Sequence, residues 1–242
     1  MNNRPVVFCI FLLLYKTSLF AQISMGIEGG LSNNTYQTNI TNRAATVLTG
    51  ATGFTVGFTF RYRIRPWLYV AATPGLVQKG YSMNRQDSLY GEYDKHMNTY
   101  CQLPIGPSLA YDWHRWRGAL DPGLYVGYWL NGQVKGRTAD IFGSTNSSST
   151  AGQTSQQFDL VGYDKPYSFL SQRDRRWEEG WYMGLEGQFL LSSAWRLTAG
   201  GKYYQSLTSQ EKAPISPIPA YNRTLTFSIG IIWSPYKPKS SI

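Results

Sequence analysis

The chain has 242 residues, with 15% aromatic residues, 15% charged residues, 24 glycines and a formal net charge of +9. This length fits one domain, and the richness in Tyr and Gly favours strands and turns over helices. The basic residues form no run interleaved with aromatic side chains, which argues against a nucleic-acid partner. The positive charge fits either a solvated surface or contact with anionic lipid head groups.

The first 21 residues are typical of a secretory signal peptide. A short basic start at Arg4 is followed by the apolar run Val6–Tyr15 and a cleavage-type sequence that ends at Ala21. The run is too short to span a membrane as a helix. Cleavage would lower the net charge to +7 and remove Cys9, which leaves Cys101 as the only cysteine. We therefore predict no intrachain disulfide and no thiol metal site.

The segment Gly53–Arg63 has the clearest pattern in the chain. Every second residue is apolar, and the residues between are small, hydroxylated or basic, so the period of two predicts a β-strand. The apolar face is about as long as the roughly 9–11 residues that a tilted strand needs to cross a bilayer. It would meet a second sheet in a soluble sandwich and lipid in a membrane barrel. The apolar residues are Phe54, Val56, Phe58, Phe60 and Tyr62.

Seven further segments repeat this alternation, which brings the predicted number of strands to eight. Each has an apolar face and a face of small or polar residues, as a membrane-spanning strand with a polar interior requires. These segments are Ile23–Leu31, Leu68–Val77, Tyr100–Tyr111, Gly118–Leu130, Gly180–Leu191, Trp195–Gln205 and Thr224–Ser234.

The connections between these strands alternate between long and short, as they do in bacterial outer-membrane barrels. We therefore predict an all-β fold, an eight-stranded antiparallel up-and-down transmembrane β-barrel over residues 22–236, with a short tail at 237–242. The even strand number places both termini in the periplasm of a bacterium with an outer membrane. The long connections are Ser32–Thr52, Gln78–Thr99, Asn131–Glu179 and Ser206–Arg223, and the tight ones are Ile64–Trp67, Asp112–Arg117 and Ser192–Ala194.

All eight tryptophans fall near predicted strand ends. Indole rings prefer the two interfaces of a bilayer, so we predict two aromatic belts. The alternative is a set of core tryptophans in a soluble sandwich. The periplasmic belt would contain Trp67, Trp113, Trp116, Trp195 and Trp233, and the outer belt Trp129, Trp177 and Trp181.

Two features fit the barrel less easily. Pro74, Pro104, Pro107 and Pro122 fall inside predicted strands, where proline cannot donate to the ladder, so we expect bulges or strand ends there. The connection 131–179 is long for a segment without structure. Its second half is rich in aromatic and charged residues, and we expect it either to fold back over the barrel or to extend the strands as a hairpin.

Five charged residues are predicted to point inward. They lie on the polar faces of their strands, and the hairpin of the sixth and seventh strands, centred near residue 194, would set Glu186 opposite Lys202. An eight-stranded barrel is just wide enough for side chains to fill its interior. The charges then form either a packed, salt-bridged plug or the lining of a gated narrow pore or small ligand site. They are Glu28, Arg61, Arg63, Glu186 and Lys202.

The sequence contains no convincing catalytic, cofactor or metal motif, so we predict none of these sites. His96 and His114 lie in connections at opposite ends of the predicted barrel, which excludes shared metal ligation. A catalytic histidine needs a partner within hydrogen-bond reach. Ser82 and Ser88, near His96, keep open the alternative of a lipid hydrolase with a Ser–His pair.

Several segments resemble the PorT-like outer-membrane β-barrel proteins of Bacteroidetes-type bacteria. They are the signal end Phe20–Gln22, the proline-containing segment Tyr100–Ile105, the Gly- and Tyr-rich segment Asp121–Tyr128, and the last hairpin around Gly180–Glu186 and Arg196–Tyr204. Gln102 departs from this pattern, because an acidic residue is common at its position. The resemblance covers nearly the whole mature chain and implies an eight-stranded barrel. The namesake of the family is implicated in protein secretion, a role that the resemblance does not transfer to this chain.

Three functions remain open at this point. The first is a non-enzymatic scaffold or binding barrel with long extracellular loops and a filled lumen. The second is a narrow pore or an accessory of an outer-membrane protein secretion system, and the third is an outer-membrane lipid-modifying enzyme. The expected partners are outer-membrane lipid, including lipopolysaccharide, and a protein or small molecule at the outer loops. We predict no nucleic-acid partner and no cofactor.

Overall fold

The computed structural model describes residues 22–38, 46–86, 91–140, 159–212 and 219–235. The predicted signal peptide, the 237–242 tail and Ser88 lie outside these ranges. No helix in the described residues is long and apolar enough to cross a membrane.

Ten strands make up the regular structure of the described chain. Most are long, and each runs antiparallel to its neighbours. The strands are β1 (Ile23–Thr38), β2 (Thr46–Arg63), β3 (Leu68–Ala72), β4 (Gly75–Arg85), β5 (Tyr93–Trp113), β6 (Trp116–Ala139), β7 (Leu160–Pro166), β8 (Trp177–Leu190), β9 (Trp195–Ser206) and β10 (Ala220–Trp233).

The strands close into a ring of eight staves, where a stave is one strand position in the barrel wall. This ring confirms the predicted barrel. The first and last strands pair along 14 residues from Met25 to Thr38, so the sheet has no open edge at its seam. Strands β3 and β4 both pair with β2 and β5 and form a single stave interrupted at Thr73 and Pro74. Strand β7 is the tenth strand and pairs with β6 beyond the ring.

The barrel is apolar outside and polar inside, the reverse of a soluble protein. Phe58, Leu185 and Ile229 are 60%, 67% and 70% exposed, whereas the inward residues Ser32 and Thr224 are fully buried. Such an arrangement is stable only where hydrocarbon, not water, surrounds the outer face. The alternation read in Gly53–Arg63 therefore places its apolar residues against lipid.

The strands extend well beyond the predicted bounds, so much of the predicted outer loops is in fact β-hairpin. Strand β1 continues to Thr38 and β2 begins at Thr46, inside the predicted loop 32–52. Strands β5 and β6 pair as far as Tyr93 with Arg137. In these extensions the outward face is no longer continuously apolar, so the alternation that marks a membrane-spanning strand is absent although the backbone pairing continues.

The prolines mark interruptions in the sheet, as expected. Pro74 lies at the break between β3 and β4, and Pro104 stands opposite that break, where its carbonyl accepts a hydrogen bond from Thr73. The β5–β6 pairing stops at Ile105 and resumes at Leu109 in the same register, which sets Pro107 opposite Pro122. Both prolines lack an N–H donor, and both therefore interrupt the hydrogen bonding between β5 and β6 at the same place.

Both alternatives for the long connection 131–179 are realised in its described part. Strand β7 extends the β6 hairpin beyond the ring. Residues 167–176 then turn inward and meet residues 207–212 through the bridge between Asp174 and Glu211. We call these two segments together the cap.

Candidate functional site

Five charged side chains, four of them buried and Glu28 nearly so, occupy the middle of the barrel, and we call them the lumen network: Glu28, Arg61, Asp121, Glu186 and Lys202. Arg61 Nη2 donates to Glu186 Oε2 at 2.8 Å and to Asp121 Oδ2 at 3.3 Å. Gln188 Nε2 donates to the other oxygen of Glu186 at 2.7 Å. One guanidinium therefore stabilises two carboxylates.

The second half of the network joins the first and last parts of the chain. Lys202 Nζ on β9 donates to Glu28 Oε1 on β1 at 2.7 Å. The hydroxyl of Thr59 donates to Glu28 Oε2 at 3.1 Å, so both carboxylate oxygens have a partner. Buried charges are tolerated when they are paired and hydrogen-bonded in this way.

The predicted pairing of Glu186 with Lys202 was wrong. In the β8–β9 hairpin Glu186 lies opposite Gly200, and Lys202 lies opposite Gly184. The hairpin is centred at residue 193 instead of 194, and a shift of one residue in the centre moves the cross-strand partner by two. Because two residues are one repeat of a strand, both side chains still point inward but meet other partners.

The remaining predicted lumen charge, Arg63, lies apart from the network. It is half-buried, two residues beyond Arg61 and at the end of β2 that enters the tight turn 64–67. The interior at this end also holds Arg117, whose Nε and Nη2 bind the two oxygens of Asp112 at 2.7 and 2.8 Å.

Asp121 is a network residue that the sequence analysis missed. It is the first residue of the Gly- and Tyr-rich segment of β6, and it lies one residue from an apolar, outward position of that strand. Its parity, meaning its odd or even position in the alternation of the strand, would alone have placed it inside the barrel. The signal was therefore present in the sequence.

A second buried ion pair, between Lys79 and Glu178, lies nearer the long-hairpin end. Their hydrogen bond is supported by Tyr125 Oη, which donates to Glu178 Oε1 at 2.8 Å, and by Asn222 Nδ2, which donates to Glu178 Oε2 at 2.7 Å. The ammonium of Lys79 also lies 4.8 Å from the ring centre of Tyr100. Lys79 and Glu178 fell within the predicted loops, where no parity could be assigned.

The cap covers this ion pair on the side of the long-hairpin end. Tyr167 and Phe169 pack their rings 4.8 Å from the ring of Trp129, which stacks on Tyr100 at 5.9 Å. Gln210, on the other cap segment, donates to the hydroxyl of Tyr100 at 3.0 Å. Aromatic rings of this size fill the mouth of the barrel with apolar area.

Trp129 differs from the prediction that placed it in the outer aromatic belt. Its side chain is only 2% exposed, because it occupies an inward position of β6, next to a register shift at Thr99 and Tyr100. The other seven tryptophans are exposed at the two ends of the barrel, as two belts require. They are Trp67, Trp113, Trp116, Trp195 and Trp233 at the tight-turn end, and Trp177 and Trp181 at the long-hairpin end.

Asp174 fastens the cap. Its Oδ2 accepts from the Leu170 amide at 2.7 Å, and its Oδ1 accepts from Arg173 Nε at 2.8 Å and Tyr167 Oη at 2.9 Å. Burial alone would raise the pKa of Asp174. The hydrogen bonds from Arg173, Leu170 and Tyr167, together with the charge of Arg173, outweigh burial and hold that pKa below its usual range.

The cap should therefore open in acid. A lowered folded-state pKa means that Asp174 stabilises the cap above the unfolded value of about 3.9, and that this stability is lost as the pH falls below it. We expect residues 167–176 to lose hydrogen-exchange protection below about pH 4, after correction for intrinsic rates. Asp174→Asn should raise their exchange about tenfold at neutral pH, since a charged hydrogen bond is lost. Unchanged protection in both experiments would contradict this role, and peptides from β8 provide the control.

The described residues do not bring a serine and a histidine together as the lipid hydrolase alternative requires. His96 points inward, is stacked on Tyr81 at 4.7 Å, and its Nε2 lies 3.0 Å from Asp94. Ser82 lies opposite Lys95 in the β4–β5 pairing and therefore faces outward. His114 lies in a tight turn at the other end of the barrel. Within the described ranges no three His, Cys, Asp or Glu side chains are placed to hold a metal ion.

The interior leaves little room for a ligand at the level of the lumen network. The cavity beside Glu28 has a volume of about 20 Å³ and is also lined by Thr55, Gln102, Tyr204 and Thr226. This volume suffices for a single water molecule. At this level the described interior holds its charges in fixed pairs.

The closed ring, the lipid-facing apolar surface and the charged interior define a β-barrel of the bacterial outer membrane. Residues 20–210 match the family model described as "Outer membrane protein beta-barrel domain". The chain belongs to this family.

Solved structures of similar fold include three outer-membrane proteins. Ail of Yersinia pestis is 12% identical, with a TM-score of 0.40 over 86% of this chain and 97% of that one. OprG of Pseudomonas aeruginosa is 10% identical, with a TM-score of 0.43 over 87% and 94% of the two chains. The protease OmpT of Escherichia coli is 8% identical, with a TM-score of 0.48 over 88% and 96%. No curated protein matches the chain at a significant level.

Proposed function

We propose that this protein is a non-enzymatic outer-membrane barrel that does not conduct ions and that acts as a scaffold or binding protein through its long-hairpin end. The observation that supports this function best is that ion pairs occupy the lumen at three levels, and we infer that they close it. Arg117 binds Asp112 near the tight turns, the lumen network fills the middle, and Lys79 binds Glu178 under the cap.

Conductance in planar bilayers tests this closure. The wild-type protein should show little steady conductance, because each passage between the ends meets a buried ion pair. Arg61→Ala should conduct more than the wild type, since it opens the middle level and releases two carboxylates. Arg223→Ala, which removes an exposed outward cation, should behave as the wild type. If the wild-type protein forms a stable, ion-selective channel, its function is that of a pore and not that of a scaffold.

The proposed orientation places the tight turns and both termini in the periplasm and the cap outside the cell. Impermeant thiol labelling of intact cells checks it in a Cys101→Ser background. The exposed cap residue Gln172 provides the outer position. We expect labelling of Gln172→Cys but not of the tight-turn variant Ser193→Cys. The opposite labelling pattern would mean that the barrel has the inverse orientation in the membrane.

The separation of Ser82 and His96 on opposite faces supports a non-enzymatic role. Analysis of membrane lipids after expression of the wild type and His96→Ala is the corresponding test. A lipid change that depends on His96 would make the protein a lipid-modifying enzyme.

We also propose the narrower relation to PorT-like proteins, on the residues that resemble that family. The expected partners are outer-membrane lipid, with a protein or small molecule at the long-hairpin end, and no nucleic acid. Cross-linking from Gln172 in intact cells would identify a protein partner. Capture of secretion-system components would favour an accessory role in secretion over a scaffold.

A further inference from the structure

One side of the barrel continues past the apolar rows as an extended wall, which next to the upper part of β2 includes residues 78–85, 93–99, 131–139 and 160–166. The strand pairings align residues into rows across its outward face. The last lipid-facing row contains Leu76, Cys101 and Tyr128. Above this row most side chains of the outward face are polar or charged, with Met97 as an apolar exception.

The next rows form a polar groove. Gln78, Thr99 and Asn131 lie side by side directly above the apolar row. Gln133 follows one row higher, between Met97 of β5 and Pro166 of β7. The groove that these residues line together with Asp164 and Lys165 has a volume of about 550 Å³. Amides and hydroxyls offer both donors and acceptors, which suits the hydroxyl groups of a sugar.

Above the groove, two cations meet. Lys95 lies directly opposite Lys135 on the outward face, and Arg137 lies one row higher on the same face. Like charges in directly opposed cross-strand positions are destabilising. Lys135 Nζ binds Asp164 at 2.8 Å, and none of the described carboxylates forms an ion pair with Lys95. The face therefore keeps an excess of positive charge.

The height of these cations restricts the kind of anion that they can meet. Lys95 lies six residues beyond Cys101 along β5. At about 3.3 Å per residue and a tilt of about 40°, this is roughly 15 Å above the last apolar row. The head-group layer of an ordinary phospholipid bilayer is only roughly 5–8 Å deep on each side. The anion must therefore belong to a taller head group.

We propose that this outward face binds the phosphorylated sugar head group of lipopolysaccharide, with the sugar in the polar groove and phosphates at Lys95 and Lys135. The proposal rests on the orientation proposed above, which places the wall outside the cell. The inward face of the same wall is unlike it, because Tyr81 and His96 stack there within the barrel mouth.

Titration of lipopolysaccharide onto the full-length protein in neutral detergent micelles tests the site. The Lys95→Gln/Lys135→Gln variant should bind about thirtyfold more weakly, since each basic residue contributes about a fivefold factor near an anionic surface. The matched control is Arg175→Gln/Arg223→Gln, which removes the same charge from the exposed cap and from the opposite side of the barrel and should bind as the wild type. Lipopolysaccharide stripped of its phosphates should bind the wild type as weakly as the double variant binds the intact lipid.

Three results would overturn the proposal. They are equal affinity of the wild type and the Lys95→Gln/Lys135→Gln variant, an equal loss in the control variant, and competition by phosphatidylglycerol as effective as that by lipopolysaccharide. Retention of the compact gel migration of an unheated barrel shows that each variant is folded. Binding in micelles needs no pore and no orientation, so its failure is distinguishable from failure of the closed-barrel function.

Discussion

Replacement of Arg61 with Met should lower the free energy of unfolding by about 3–5 kcal/mol. Removal of one partner from a buried ion pair leaves an uncompensated charge, and this usually costs that amount. Here two carboxylates, Asp121 and Glu186, lose the guanidinium that they share, and both are almost fully buried. Urea unfolding in lipid vesicles, followed by tryptophan fluorescence, measures the loss. Arg223→Met, at an exposed position, should change stability by no more than about 0.5 kcal/mol.

Double-mutant cycles then identify the partners. Arg61→Met combined with Glu186→Gln should show a coupling energy of about 0.5–3 kcal/mol, as residues in one hydrogen-bonded pair do. Glu28→Gln combined with Lys202→Met should behave likewise, because Lys202 donates to Glu28 at 2.7 Å. The cycle of Glu186 and Lys202 should show a smaller coupling than either. If that cycle has the largest coupling, the register of the β8–β9 hairpin is incorrect.

The sequence predicts the barrel well because lipid imposes one rule on every stave. An outward side chain between residues 53 and 63 has no alternative to being apolar, so the period of two remains visible. The same rule stops at the edge of the hydrocarbon. In the wall above Gln78 and Thr99, both faces mix polar with apolar side chains, and the backbone pairs without leaving a clear apolar period.

The interior was predictable in composition but not in pairing. Parity alone places Glu28, Arg61, Glu186 and Lys202 inside the barrel. Which carboxylate meets which cation depends on the turn at residues 192–194, where an error of one residue moves each partner by two. It also depends on contacts across the lumen, such as that between Arg61 on β2 and Glu186 on β8, for which a single sequence carries no local signal.

Trp129 shows a different limit. A tryptophan near a strand end fits an interfacial belt, and seven of the eight tryptophans are exposed at strand ends. Trp129 has inward parity, and the rings that cover it, Tyr167 and Phe169, come from the cap. Parity was therefore a better guide than residue type at this position.

A charge on the lipid face should be the second most costly change. Phe58 is the central outward residue of β2 and lies opposite Ile27 of β1, so its ring projects near the middle of the apolar band. Ile229 has the corresponding position on β10 and lies opposite Ala199 of β9. Arg at the bilayer midplane of a barrel costs about 2–4 kcal/mol and less toward the interfaces.

We therefore expect Phe58→Arg and Ile229→Arg each to lower the free energy of unfolding in lipid vesicles by about 2–4 kcal/mol. Phe58→Leu separates charge from size, because it removes the ring but leaves the position apolar, and it should cost less than Phe58→Arg. Ser193→Arg, in an exposed tight turn, should have little effect, since the guanidinium remains in water. If Phe58→Arg folds into bilayers with wild-type stability, this face does not meet hydrocarbon. The assignment of apolar faces to lipid and polar faces to the interior would then be wrong for all eight staves.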